Sequence, residues 1–207
     1  NLQAALAQAM PWAEYAESQA DDEHREAWHL AAPLAKAPRI LDAFANDIER
    51  AGVVGERKAT SLLYLCLVSR FLERIVSAVM KGPSAAGKSY LVDKVLTFFP
   101  QDAVYVLSAM SERALAYSEE PLSHKFLVIY EAVGLKGDFA SYLVRSLLSE
   151  GRIKYETVDK TADGLKARLI VREGPTGLIV TTTEVNLHPE NETRIFSIPV
   201  TDTREQT

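Results

Sequence analysis

From residue 74 onward the chain reads as an α/β domain, a mainly parallel sheet with helices on both faces. Three observations predict it. Apolar runs and helical repeats alternate between 74 and 150, a glycine-rich turn joins the first such strand to the first helix, and two later period-2 segments mark a β-hairpin insertion. An N-terminal helical segment over 1–50 is expected to precede this core, which then occupies 51–207.

Taken in order, residues 1–36 are rich in Ala, Glu and Gln, with Leu2, Leu6 and Met10 at helical spacing. This stretch reads as a peripheral helical lead-in with Trp12, Tyr15 and Trp28 as packing anchors, punctuated by Pro33 and Pro38. His24 and His29 stand too far from other ligand types to suggest a metal site. Ile40, Leu41, Phe44 and Ile48 line one side of a helix that Gly52 can end. A second helix over 57–73 is apolar on several faces and is expected to be buried.

The core then runs as strand 75–80, glycine-rich turn, helix 88–98, strand 103–107, short helix 111–117, strand 126–130 and helix 138–149. Segments 152–158 and 166–172 alternate with period 2 and are joined by 159–165, so they read as a hairpin with Gly164 in the turn. The β-rich run 177–183 fits a central strand. A last strand, 194–200, follows the loop 186–193.

Composition bounds the possibilities. At 207 residues and 47% apolar content the chain can bury a substantial core, and it is not a disordered polymer. A net charge of −5 argues against a protein that coats nucleic acid through an overall basic surface, so any such contact must be local. Cys66 is the sole cysteine; it lies in an apolar run and reads as a buried, inert thiol, with no disulfide available inside the chain. No basic-then-apolar leader and no membrane-length apolar stretch occurs, and a cytoplasmic location is expected. The chain opens within a helical pattern at 1–6 and stops in the polar 201–207, as a piece cut from something longer would.

The chemistry concentrates at Gly82, Pro83, Ser84, Ala85, Ala86, Gly87, Lys88 and Ser89, which spell G-x-x-x-x-G-K-S between a strand and a helix that continues with Tyr90. Glycines at these places let consecutive backbone N–H groups converge on phosphate oxygens. Lys88 adds a cation for the β- and γ-phosphates, and Ser89 a hydroxyl for Mg²⁺. The motif fixes nucleotide binding, with ATP and Mg²⁺ as the expected ligands, and leaves the task open.

Hydrolysis also needs a carboxylate at the end of a neighbouring strand, to hold the metal or orient the attacking water. Glu131, after 126–130, supplies one. Such strands usually end in Asp-Glu, and here Tyr130 holds the first place. A phenol cannot do a carboxylate's work at magnesium. Either Glu131 orients the water while Ser89 and waters hold the metal, or Glu131 is itself the metal-side acid and another residue positions the water; the strand register favours the first. The strand ending in Thr181-Thr182-Thr183 brings hydroxyls toward the γ-phosphate, although Thr is equally a good strand former. Arg194, just before the last strand, is placed to project across a subunit boundary onto a neighbour's nucleotide, or to form a surface ion pair with Glu192.

These features, in this order, resemble the AAA+ ATPases: a Walker A loop at 82–89, a Walker-B-like strand at 126–131, a hairpin, a sensor-like strand ending at Thr183 and an arginine before a final strand. A hairpin just ahead of the sensor strand is similar to the subgroup that includes the replicative MCM and viral superfamily-3 helicases. The runs 81–84, 109–117 and 188–194 resemble primase/helicase-type ATPases of bacterial mobile elements, and the resemblance covers about residues 50–200. It implies a P-loop NTPase fold of AAA+ type and an ATP-hydrolysing motor that acts on DNA as a ring. In that arrangement Lys88 and Ser89 hold phosphate and metal, Glu131 directs water, Thr183 senses the γ-phosphate and Arg194 reaches the adjacent subunit. Two departures stand out: Tyr130 in place of Asp, and no small helical lid after the last strand.

The hairpin is mildly basic within an acidic chain. Lys160 and Lys166 are its candidate DNA contacts, sequence-independent and salt-sensitive; cross-strand ion pairing would account for the same pattern. Two other functions share the P-loop: a small-molecule or nucleoside kinase, which would need an arginine-bearing lid and no long hairpin, and a slow nucleotide-gated assembly switch.

Overall fold

A computed structural model describes residues 12–108, 114–131, 138–161, 164–183 and 193–201. The chain separates into two compact units, Asn1–Phe44 and Ala45–Thr207.

In the first unit, helix α1 (Trp12–Ala35) runs through Pro33 rather than stopping at it. Pro33 falls in the last turn, so the one hydrogen bond it removes lies where the helix is already ending. From Asp21 to Ala35 every residue except Ala32 is exposed, and Trp28, expected as an anchor, is 57% exposed. Of its neighbours three and four residues away, His24, Arg25, Ala31 and Ala32, none offers a bulky apolar side chain for the ring to pack against. The side chains of Trp12 and Tyr15 lie outside the described residues.

Helix α2 (Ile40–Arg50) crosses the boundary between the units, with Ala45 and Ile48 buried. A glycine at positive φ, Gly52, follows its end as expected. Helix α3 (Arg57–Val68) passes into a 3₁₀ turn, Ser69–Phe71, so the regular helix is shorter than its apolar content suggests. Only one side is covered: Leu63 and Leu67 are fully buried, while Leu65 and Val68 face solvent.

The second unit is built on a five-stranded sheet in the order β2-β3-β6-β1-β7, comprising β1 (Ala78–Lys81), β2 (Val104–Leu107), β3 (Lys125–Ile129), β6 (Thr176–Thr182) and β7 (Phe196–Pro199). Every pairing in it is parallel. Parallel strands joined by helical crossovers must be covered on both faces, which is why β1, β3 and β6 are nearly continuous apolar runs. One face carries Val79, Leu127, Ile129, Leu178 and Val180, packed with Leu115 of α5 (Ala114–Tyr117) and Leu143, Val144 and Leu147 of α6 (Asp138–Glu150). By strand alternation Ala78, Met80, Val128 and Ile179 point the other way, toward α3 and α4 (Lys88–Leu96), whose Leu91, Val92 and Val95 are buried. This is the α/β, P-loop NTPase architecture expected.

Two polar links knit the sheet at its ends. Ser77 accepts from the Leu178 N–H through Oγ at 2.9 Å and from the Phe196 N–H through its carbonyl at 2.7 Å, joining three strands where they begin. At the opposite end the buried carboxylate of Glu56 accepts from the Thr201 N–H at 2.9 Å and Oγ at 3.1 Å, tying the exit of β7 to the start of α3.

The hairpin forms a separate two-stranded antiparallel sheet, β4 (Ile153–Thr161) and β5 (Gly164–Arg172). Its ladder continues through residues expected in the connecting loop, pairing Asp159 with Lys166, Lys160 with Leu165 and Thr161 with Gly164. Its base is anchored by fully buried Ile153 and by Tyr155, whose ring meets Tyr117 edge-on at 6.4 Å. Among the described residues no helix is long and apolar enough to cross a membrane.

Candidate nucleotide site

The cleft lies at the carboxyl ends of β1, β3 and β6, where an open parallel sheet offers a crevice above its strand tips. Its volume is about 500 Å³, within the ordinary range for small-molecule sites, and it is lined by three contributions. The loop and the first turn of α4 give Ser84, Ala85, Gly87, Lys88, Ser89 and Tyr90; the end of β3 gives Glu131; the end of β6 gives Thr181, Thr182 and Thr183.

The loop's shape follows from its composition. At Gly82 a Cβ would stand 2.5 Å from the Val200 carbonyl oxygen, so only glycine lets β1 turn out beside the exit of β7. Gly87 adopts φ +70 and opens α4 at Lys88, directing the free N–H groups of that first turn toward the cleft. Gly82, Pro83 and Ala86 shape the loop without lining the cleft. Lys88 is 8% exposed, and its ammonium donates to the carbonyls of Gly82 at 3.0 Å and Pro83 at 2.5 Å. An anion entering the cleft would replace those carbonyls as the lysine's partner.

Glu131 stands at the rim in the left-handed region, φ +64, which a non-glycine residue occupies at a cost. Its N–H donates to the buried hydroxyl of Thr181 at 3.0 Å. That bond joins the two strand ends and fixes where the glutamate leaves β3. The sequence offers three consecutive threonines without distinguishing them; in the fold Thr181 is turned toward Glu131 and Thr183 is the exposed one.

Tyr130 is engaged with the helix that follows the loop. Its Oη donates to Oδ1 of Asp93 on α4, and burial together with that carboxylate pushes the phenol well above its ordinary range. It therefore stays neutral and supplies no negative charge. Asp93 was missed in the sequence, where the one available signal is its spacing of four from Ser89.

Ser89 and Glu131 both line the cleft and are hard oxygen donors of the kind Mg²⁺ takes. Among the described residues no group of three or more His, Cys, Asp or Glu gathers, His24 and His29 included. That sparse donor set suits an ion held by one or two protein oxygens and completed by phosphates and water.

Arg194 is exposed in the turn before β7 and does not line the cleft. Lys160 and Lys166 are exposed on the hairpin but on opposite faces, because Lys160 pairs with Leu165 while Lys166 pairs with Asp159. Cys66 is buried and its thiol is pushed up to about 11 by desolvation.

Residues 32–195 match the family described as the MTBMA_p00010 P-loop domain. The chain belongs to that family. Among solved structures it is similar to the Thermotoga maritima RuvB Holliday junction branch migration motor, at 18% identity and a TM-score of 0.47, over 72% of this chain and 45% of that one. The chain thus spans less than half the length of that motor. No curated protein matches it.

Proposed function

We propose that this P-loop domain binds ATP with Mg²⁺ and hydrolyses it as an AAA+-like motor acting on DNA, of the helicase or primase-helicase type used in mobile-element replication. The observation that carries the reading is the convergence of Lys88, Ser89, Glu131 and Thr181–Thr183 on one cleft, from the three strand ends where a triphosphate, its metal and an attacking water must meet. The hairpin between α6 and β6 supports a nucleic-acid role, since it stands outside the main sheet and carries Lys160 and Lys166. Arg194, outside its own cleft, suits a finger supplied to a neighbour in a homo-oligomeric ring. In such a ring Thr183 touches the γ-phosphate, and the protein works in the cytoplasm.

A second reading, a slow nucleotide-gated assembly switch, is favoured by one observation: the phenol of Tyr130 stands in the place of a catalytic-site acid and is engaged with Asp93. Steady-state ATP turnover with and without single-stranded DNA, alongside mass in solution, separates them. Stimulation by DNA in a ring-sized assembly supports the motor; ATP-driven assembly without stimulation gives the switch. Transfer of phosphate to an added acceptor by a monomer makes the protein a kinase and ends both readings.

A further inference from the structure

The acid absent from position 130 has a counterpart on the neighbouring helix. After β3, Tyr130 brings a hydroxyl to the place before Glu131 where a second acid usually stands, and α4 carries a carboxylate, Asp93, in addition to the hydroxyl of Ser89. Asp93 is the only acid in α4; it stands outside the cleft lining, one turn beyond Ser89 on the same helical face. Helical side chains lean toward the N-terminus of their helix, so Asp93 leans over the turn that carries Ser89. The Tyr130 Oη donates to Asp93 Oδ1, which fixes the carboxylate while leaving its negative charge in place.

We propose that Asp93, held by Tyr130, is the metal-side acid of this site and accepts from the waters of a Mg²⁺ carried in with the nucleotide on Ser89. This rests on the nucleotide-binding reading of the cleft. It assigns Tyr130 a positioning role, and it leaves Glu131 free to orient water. Mg²⁺ retains several waters when it binds beside phosphates, so a carboxylate one turn away from the hydroxyl ligand acts through that shell.

The test is a Mg²⁺ titration of the binding of a fluorescent, non-hydrolysable ATP analogue to the whole chain, with affinity in EDTA as each variant's own reference. Asp93→Asn is expected to raise the half-saturating Mg²⁺ concentration about tenfold, the usual cost of removing an outer-shell partner. A rise of less than about threefold overturns the proposal. Asp93 is exposed, and thermal melting reports whether the variant folds; should it not, Asp93→Ser is read by the same criterion. If the unaltered protein shows no Mg²⁺-dependent nucleotide binding, the reading of the cleft itself fails, an outcome distinct from a normal Mg²⁺ response in Asp93→Asn.

Discussion

The buried hydroxyl of Thr181 accepts the backbone N–H of Glu131 at 3.0 Å, so the tip of β6 sets the backbone of the residue that ends β3. Glu131 needs that support, because its φ of +64 is costly for any side chain bearing a Cβ. Thr181→Val removes the acceptor while keeping the shape, and we expect kcat to fall on the order of 10²-fold with a much smaller change in KM. Thr181→Ser, which keeps the hydroxyl, should restore most of the rate. Steady-state kinetics of both variants decide the matter; a valine variant that turns over normally makes the bond idle.

Glu131→Gln keeps the size and the backbone of the rim and removes the charge. Nucleotide binding should persist, since the contacts proposed for Lys88 and Ser89 do not depend on this carboxylate, while hydrolysis should fall by roughly 10²-fold or more, the scale of general-base catalysis. Equilibrium binding paired with phosphate release reads both. Normal release in this variant would remove Glu131 from the mechanism.

Arg194 is exposed and away from its own cleft, so the proposed finger role would require a second subunit. Arg194→Ala alone should be inactive, and Lys88→Ala alone should fail to hold nucleotide. In the proposed ring, a mixture of the two would pair an intact cleft with an intact arginine, and activity should return. A supplied arginine is worth about 10³-fold or more in turnover, well above background. Mixtures that stay silent count against a finger in trans.

How much of this was legible beforehand depended on the range of the interaction. The order of strands and helices around the loop is written in local apolar periodicity, and the buried run of β6 was readable as a central strand because it lacks an alternating polar face. The hairpin's length was not. Asp159, Lys160 and Thr161 have the composition of a loop, and only cross-strand pairing makes them strand residues. The same holds for the site: Lys88, Ser89 and Glu131 sit at motif spacing, whereas the Tyr130–Asp93 bond joins residues 37 apart and depends on how β3 meets α4. Trp28 failed as an anchor for the opposite reason, since aromatic character alone says nothing about whether a partner face exists.

Cys66 gives a pH test of packing. Burial raises its thiol from 9.0 to about 11, so over that interval the unfolded chain gives up a proton that the folded chain retains. Stability should therefore hold below pH 9.0 and decline as pH rises toward about 11. Denaturation midpoints of the native protein and Cys66→Ala across that window isolate the contribution, which the variant lacks. At neutral pH the native thiol should resist a disulfide reagent until the protein is unfolded. Rapid labelling of the folded protein would show that the residue is open to solvent.

Lys160 and Lys166 cannot serve one strand of DNA equally, because the ladder sets them on opposite faces of the hairpin. Lys166 faces Asp159, an acid that also pairs with Arg168 at 3.4 Å, so part of its positive field is already offset. On its face Lys160 has Leu165 opposite and Val158 beside it, both exposed and uncharged, and the nearest acid on that face is Glu156, four residues back along β4. A phosphate backbone laid along the hairpin should therefore find Lys160 first. We expect Lys160→Ala to weaken single-stranded DNA binding for every sequence and to lower the salt slope by about one, the mark of one lost phosphate contact. Lys166→Ala should do less. Affinity measured over a range of salt concentrations separates the two lysines, and equal losses would mean that the nucleic acid wraps the hairpin tip and touches both faces.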